Sequence, residues 1–104
     1  MTTLSALEKL LDGPRDNALL RFGLGNEYLK AGNADQAISL YQSAVERDPN
    51  YSAAWKALGK TLAGAGRKAE ARLALQRGIE VAEARGDIQA SKEMNVFLRR
   101  LERS

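Results

Sequence analysis

The chain of 104 residues contains the same short sequence pattern twice, at an interval of 34 residues. Leu24-Gly25 and Gly32 in the first copy correspond to Leu58-Gly59 and Gly66 in the second copy. Periods of about 20–50 residues are typical of proteins that are built from stacked structural repeats. The alignment of residues 18–51 with residues 52–85 therefore constrains the fold more than any other feature of the sequence.

Each copy carries part of a known repeat signature. The first copy contains Leu24-Gly25-x-x-Tyr28 followed by Ala37, Tyr41, Ala44 and Pro49. The second copy contains Trp55-x-x-Leu58-Gly59-x-x-Leu62 followed by Ala71, Leu75 and Gly78. The pattern resembles that of the tetratricopeptide repeat (TPR) family, W-x2-L-G-x2-Y…A-x3-F…P in about 34 residues. The copies depart from it at different positions, which are Arg21 (Trp in the family), Leu62 (Tyr) and Glu83 (Pro).

The resemblance implies an all-α fold, a right-handed α-α superhelix of about six helices in antiparallel pairs. It also explains why small residues recur in the repeat, since such residues allow two helix backbones to approach closely. The positions concerned are Gly25, Gly59, Ala37, Ala71, Ala44 and Gly78. A glycine inside a helix costs up to about 1 kcal/mol relative to alanine, so the glycines among these residues require a packing reason.

Turn signals separate the expected helices. Gly32-Asn33 is expected to end the first helix of the repeat pair, and Asn33 with Gln36 resembles a capping box. Asp48-Pro49-Asn50 is expected to stop the next helix, because proline cannot continue it. The helix of the second copy that follows Gly64 and Gly66 is expected to run over residues 67–85, up to Gly86-Asp87.

The flanking segments are expected to cap the two repeats, which would otherwise expose apolar faces. Residues 4–12 place Leu4, Leu7, Leu10 and Leu11 on one face of an N-terminal capping helix. Residues 87–103 place Ala90, Met94, Phe97, Leu98 and Leu101 on one face of a C-terminal capping helix. With repeat 1 at residues 18–51 and repeat 2 at residues 52–85, we expect a single domain over residues 1–104.

Composition argues against several classes of function. The chain has no cysteine and no histidine, so we expect no enzyme, no cofactor and no metal site. Gly64 to Ala69 fits a G-x-G-x-x-A fingerprint only superficially, because its flanks are predicted to be helical rather than βαβ. The N-terminus lacks the pattern of a signal peptide and no apolar run is long enough to span a membrane, so we expect a cytoplasmic protein.

The resemblance implies a role in binding other proteins, as an adaptor that holds a peptide or helix in a concave groove. The residues of the first copy that fall at groove-lining positions of the family are Leu19, Phe22, Asn26, Leu29 and Lys30. Those of the second copy are Ala53, Lys56, Lys60, Ala63 and Gly64. Phe22 is aromatic where packing within the repeat does not demand it, and the three lysines favour an acidic partner. Some members of the family bind a ligand's carboxylate with a clamp of five residues, which is not expected here. Only Asn26 matches the clamp, and the other four clamp positions are occupied by Phe22, Ala57, Asp87 and Ser91.

Other interpretations remain open at this point. Phe22 could pack beneath the C-terminal helix, and the lysines could serve solubility alone. The cap face of Met94, Phe97, Leu98 and Leu101 could mediate self-association. Residues 52–104 carry eleven Lys/Arg against six Asp/Glu, so weak nucleic-acid binding through a region that includes Arg99, Arg100 and Arg103 is a further, less expected alternative.

Overall fold

The computed structural model describes residues 3–103, and those residues form six α-helices and no β-strand. The helices are α1 (Thr3–Glu8), α2 (Ala18–Lys30), α3 (Ala34–Arg47), α4 (Ser52–Gly64), α5 (Lys68–Ala84) and α6 (Ile88–Arg103). The prediction of an all-α chain with about six helices is confirmed. The chain divides into two compact units, the first ending at Asp48 and the second beginning at Pro49.

The first unit is built around the hairpin of α2 and α3, with α1 packed against α2. Its turn is closed by Gly32, which has a φ of 81°, a left-handed conformation that suits glycine. The amide of Asn33 then donates to the carbonyl of Tyr28 at 2.9 Å. Asn33 also caps α3, because its side chain accepts a hydrogen bond from the amide of Gln36 at 3.2 Å. The predicted turn and N-cap are thus confirmed.

The second unit contains the hairpin of α4 and α5, and α6 packs against both of these helices. Gly66 repeats the turn of Gly32 with a φ of 80°. Asp87 caps α6, since its side chain accepts hydrogen bonds from the amide of Ala90 at 3.3 Å and from the Ser52 hydroxyl at 3.1 Å. Asp87 therefore has a structural role in this unit.

The recurring glycines lie where helices touch. A Cβ atom on Gly25 would come within 2.5 Å of the Tyr41 ring, and one on Gly59 would come within 2.6 Å of Leu75. The two pairs occupy the same repeat positions, one in each hairpin. A Cβ on Gly78 would meet the Met94 sulfur at 2.6 Å. The packing reason that the sequence required for these glycines is therefore present.

The N-terminal helix is shorter than predicted. It ends at Glu8, and residues 9–15 form turns, so Leu10 and Leu11 do not continue the helical face of Leu4 and Leu7. Within these turns Asp12 has a left-handed φ of 62°, and its amide donates to the Asp16 carboxylate at 2.8 Å. The other capping helix agrees with the prediction to within one residue at its start.

Candidate functional site

Two predicted groove residues on α4 face α6. Lys56 and Lys60 lie one helical turn apart, and so do their contacts on α6, Glu93 and Phe97. The Lys56 Nζ atom lies 2.7 Å from Glu93 Oε2. The Lys60 Nζ atom lies 5.9 Å from the centroid of the Phe97 ring, within the range of a cation–π contact. These two lysines are therefore engaged by α6 within the second unit.

Both carboxylate oxygens of Glu93 have a donor. Lys56 bonds Oε2, and the Gln89 amide donates to Oε1 at 3.1 Å. The hydrogen bond from Lys56, together with that from Gln89, lowers the pKa of Glu93 below its ordinary value. Glu93 is therefore held ionised next to α4.

A cavity of about 370 Å³ opens between these contacts. We call the residues that line it the α4–α6 site: Lys56, Lys60, Lys92, Glu93, Met94, Val96, Phe97 and Arg100. Met94 is fully buried, whereas the Val96 residue is 44% exposed. Glu93 is the acidic member of this set, and its charge is already paired with Lys56. The α4–α6 site thus combines an apolar surface with an excess of positive charge.

The arginines near the end of α6 do not all belong to this site. Arg100 lines the cavity, and the exposed Arg99 and Arg103 are absent from its lining. The basic region that the sequence suggested is therefore distributed over more than one side of the helix.

Three predicted groove residues of the first unit come together at another cavity, of about 500 Å³. Asn26, Leu29 and Lys30 line it with Leu7, Gly23 and Glu27. The Asn26 Oδ1 atom accepts a hydrogen bond of 2.6 Å from the hydroxyl of Tyr41, and burial raises the pKa of that hydroxyl. Lys30 forms an ion pair of 3.3 Å with Glu27. Asn26 and Lys30, which the sequence predicts to contact a ligand, thus already form polar contacts inside the unit.

Leu19 and Phe22 are not part of that cavity lining. Leu19 is 66% exposed, whereas Phe22 is half-buried and its ring centroid lies 5.8 Å from that of Tyr41. Phe22 therefore has an aromatic neighbour in its own hairpin, and its contact with a ligand stays a prediction.

Arg21 organises a polar cluster that sequence reasoning missed. Its Nε and Nη2 atoms donate to the two carboxylate oxygens of Asp16 at 3.0 and 2.6 Å, and its Nη1 atom donates to the Ser43 hydroxyl at 2.8 Å. The Asp16 side chain is only 4% exposed, and Arg47 approaches it at 3.5 Å. The hydrogen bond from Arg21, together with that from the Asp12 amide and the charges of Arg21 and Arg47, lowers the pKa of Asp16 from 3.8 to about 2 against the opposing effect of burial. Arg21 thus ties the start of α2 to the segment that precedes it.

The apolar face of α6 is largely used inside the second unit. Met94 is buried together with Leu75 and Ile79, and Phe97, Leu98 and Leu101 pack against this core while remaining partly exposed. The face considered for self-association is therefore not presented whole to a second molecule.

No helix within residues 3–103 has both the length and the apolar character needed to cross a membrane. The same residues contain no group of three or more Asp and Glu side chains that could hold a metal ion.

Comparison with known proteins gives concordant matches. The family model described as "Tetratricopeptide repeat" matches residues 22–88. A TPR repeat-containing protein of Pseudomonas aeruginosa is 54% identical over 101 residues, which cover 97% of this chain and 96% of the relative. The solution structure of a Bordetella parapertussis protein is similar with a TM-score of 0.83 and 47% identity, over 99% of this chain and 90% of that one. The crystal structure of a tetratricopeptide repeat domain protein from Salinibacter ruber gives 0.78 and 31% identity, over 84% of this chain and 97% of that one.

Proposed function

This chain belongs to the tetratricopeptide repeat family, and we propose that it is a protein-interaction module that binds a segment of a partner protein at the α4–α6 site. Stacked helical repeats generally act as binding surfaces for other proteins rather than as enzymes. The proposal assigns that role to a defined cavity of the second unit.

The observation that carries the proposal is the make-up of the α4–α6 site. Lys60, Lys92 and Arg100 border the same cavity as the partly exposed side chains of Val96 and Phe97. Binding sites for ligand segments typically combine an apolar surface with a few charged groups that fix orientation. An apolar side chain of a partner would displace water from Val96, and acidic neighbours of that side chain would meet the cations.

The distribution of charge supports an acidic partner. Residues 49–104 contain eleven Lys/Arg and six Asp/Glu, a balance of +5, whereas residues 1–48 contain five and seven, a balance of −2. An acidic segment is therefore attracted to the second unit at long range, which raises its rate of association. The charges at the cavity then fix where the segment is held.

The test is affinity capture with three tagged proteins, followed by mass spectrometry. These are the natural chain, the site variant Lys60→Glu/Arg100→Glu, and the control Lys68→Glu/Arg99→Glu, which changes net charge equally but alters residues outside the cavity lining. We expect a specific set of proteins to be captured by the natural chain and the control and to be lost by the site variant. Equal capture by all three folded proteins would contradict the assignment of the site.

A further inference from the structure

Side chains of α6 contact the two lysines of α4 in the way that side chains of a bound ligand would. Helix α6 presents a carboxylate, Glu93, and an aromatic ring, Phe97, spaced by one helical turn. Lys56 meets the carboxylate at 2.7 Å, and Lys60 lies 5.9 Å from the centroid of the ring. An acidic group and an apolar group at this spacing are thus already recognised by the two lysines of α4.

The ion pair in this arrangement can exchange while the helices stay in place. The Lys56 and Glu93 side chains are 32% and 45% exposed, so both ends of the pair reach solvent. Met94, the neighbour of Glu93, is fully buried and anchors the backbone of α6. A carboxylate from another molecule can therefore replace that of Glu93 on Lys56 through side-chain rotation alone.

We propose that Glu93 is an internal competitor of the ligand, and that the α4–α6 site binds an acidic peptide segment with a carboxylate one helical turn from an apolar side chain. The ligand carboxylate takes the place of Glu93 on Lys56, and the ligand's apolar side chain packs in the cavity on Val96. Lys60, Lys92 and Arg100 surround further acidic groups of the same segment. This inference rests on the proposed function and specifies the chemistry of its ligand.

The surroundings of Phe97 favour a peptide over a nucleic acid. Lys60 lies over its ring, and the ring also packs against the core that contains Leu75 and Met94. Single-stranded nucleic acids bind through bases that stack on aromatic side chains, which requires an accessible ring face. The α4–α6 site offers cations and aliphatic surface, which suit acidic and apolar side chains.

The proposal predicts a gain of affinity from the loss of one charge. Glu93→Gln removes the competitor and frees Lys56, so binding of an acidic peptide is expected to tighten by about two- to fivefold, the range of an exposed ion pair. Glu102→Gln, on the exposed surface of the same helix and outside the cavity lining, changes net charge equally and is the control. In a Lys56→Gln background, Glu93→Gln is expected to have no such effect, because no cation is released.

The probe is a fluorescent synthetic helical peptide, blocked at both ends, that carries Glu and Leu four residues apart among acidic residues. Fluorescence anisotropy gives its Kd for each full-length variant, and circular dichroism verifies that each variant is folded. Companion peptides replace the acidic residues by Gln or the Leu by Ser, and a single-stranded DNA oligonucleotide is the competing class. We expect each peptide change to weaken binding, Glu93→Gln to strengthen binding of the acidic peptide, and Glu102→Gln to leave it within twofold.

Equal effects of Glu93→Gln and Glu102→Gln would overturn the competitor role, since net charge alone would then explain the result. Tighter binding of DNA than of the acidic peptide would overturn the ligand class, as would no peptide binding by either the natural chain or Glu93→Gln. Each of these results would leave the proposed function open. The proposed function is tested separately, by whether the site variant loses the proteins that the natural chain captures.

Discussion

Replacing Asp16 by Asn removes the negative charge at the centre of the Arg21 cluster. Arg21 donates to both carboxylate oxygens of Asp16, and Arg47 lies 3.5 Å from the same carboxylate. The substitution keeps the size of the side chain and an oxygen that can accept from the amide of Asp12. It therefore tests the charge, with little change in packing.

The shift in the pKa of Asp16 sets the size of the expected effect. One unit of pKa corresponds to about 1.36 kcal/mol, so a fall from 3.8 to about 2 corresponds to about 2.4 kcal/mol. Solvent screening around the outer members of the cluster reduces this value, and we expect Asp16→Asn to lower the free energy of unfolding by about 1–2 kcal/mol at neutral pH. Because the folded pKa is the lower one, this stabilisation is present above pH 4 and is lost as pH falls from 3.8 towards 2.

Urea denaturation followed by circular dichroism measures this difference at pH 7 and again near pH 2.5. The matched control is Asp12→Asn, because the Asp12 side chain is 88% exposed and lies 3.4 Å from Arg21. We expect that control to change stability by less than about 0.5 kcal/mol. Equal stability of Asp16→Asn and the natural chain at pH 7, or a difference that does not shrink in acid, would refute the reasoning.

Two further predictions concern the first hairpin. Gly25→Ala is expected to destabilise the chain by about 1–3 kcal/mol, because its Cβ would overlap the buried Tyr41 ring, whereas Gly23→Ala meets no atom within 4 Å and is expected to stabilise by up to about 1 kcal/mol. Thermal unfolding of the two variants checks this, and a common sign would contradict it. Tyr41→Phe removes the 2.6 Å hydrogen bond to Asn26 and is expected to cost about 1 kcal/mol, more than Tyr28→Phe at an exposed hydrogen bond. Urea denaturation of both variants decides that order.

Local signals in the sequence were sufficient to predict the helix pairs. The turn at Gly32 and the cap at Asn33 depend on neighbouring residues, and a glycine opposite Tyr41 or Leu75 follows from the repeat itself. The end of α1 could not be predicted in the same way, because the apolar periodicity continues through Leu11. The helix instead ends at Glu8, before turns in which the Asp12 amide donates to the Asp16 carboxylate.

The sequence predicted the α4 residues of the candidate site but not their contacts on α6. The repeat alignment selected Lys56 and Lys60 on α4, but their contacts lie on another helix, with Glu93 37 residues away from Lys56. No local spacing relates such residues. Arg21 shows a similar limit, because in the sequence it is only a departure from the family pattern, whereas in the structure it joins Asp16 to Ser43.

Mapping of amide chemical shifts during titration with the blocked acidic peptide tests the binding site most directly. If a partner segment binds at the α4–α6 site, the largest changes in a ¹⁵N-labelled sample will fall on residues 56–60 of α4 and 92–100 of α6. The Lys60→Glu/Arg100→Glu variant will lose those changes at the same peptide concentration. Saturable binding whose largest changes lie elsewhere, with residues 56–60 and 92–100 unaffected, would contradict the account.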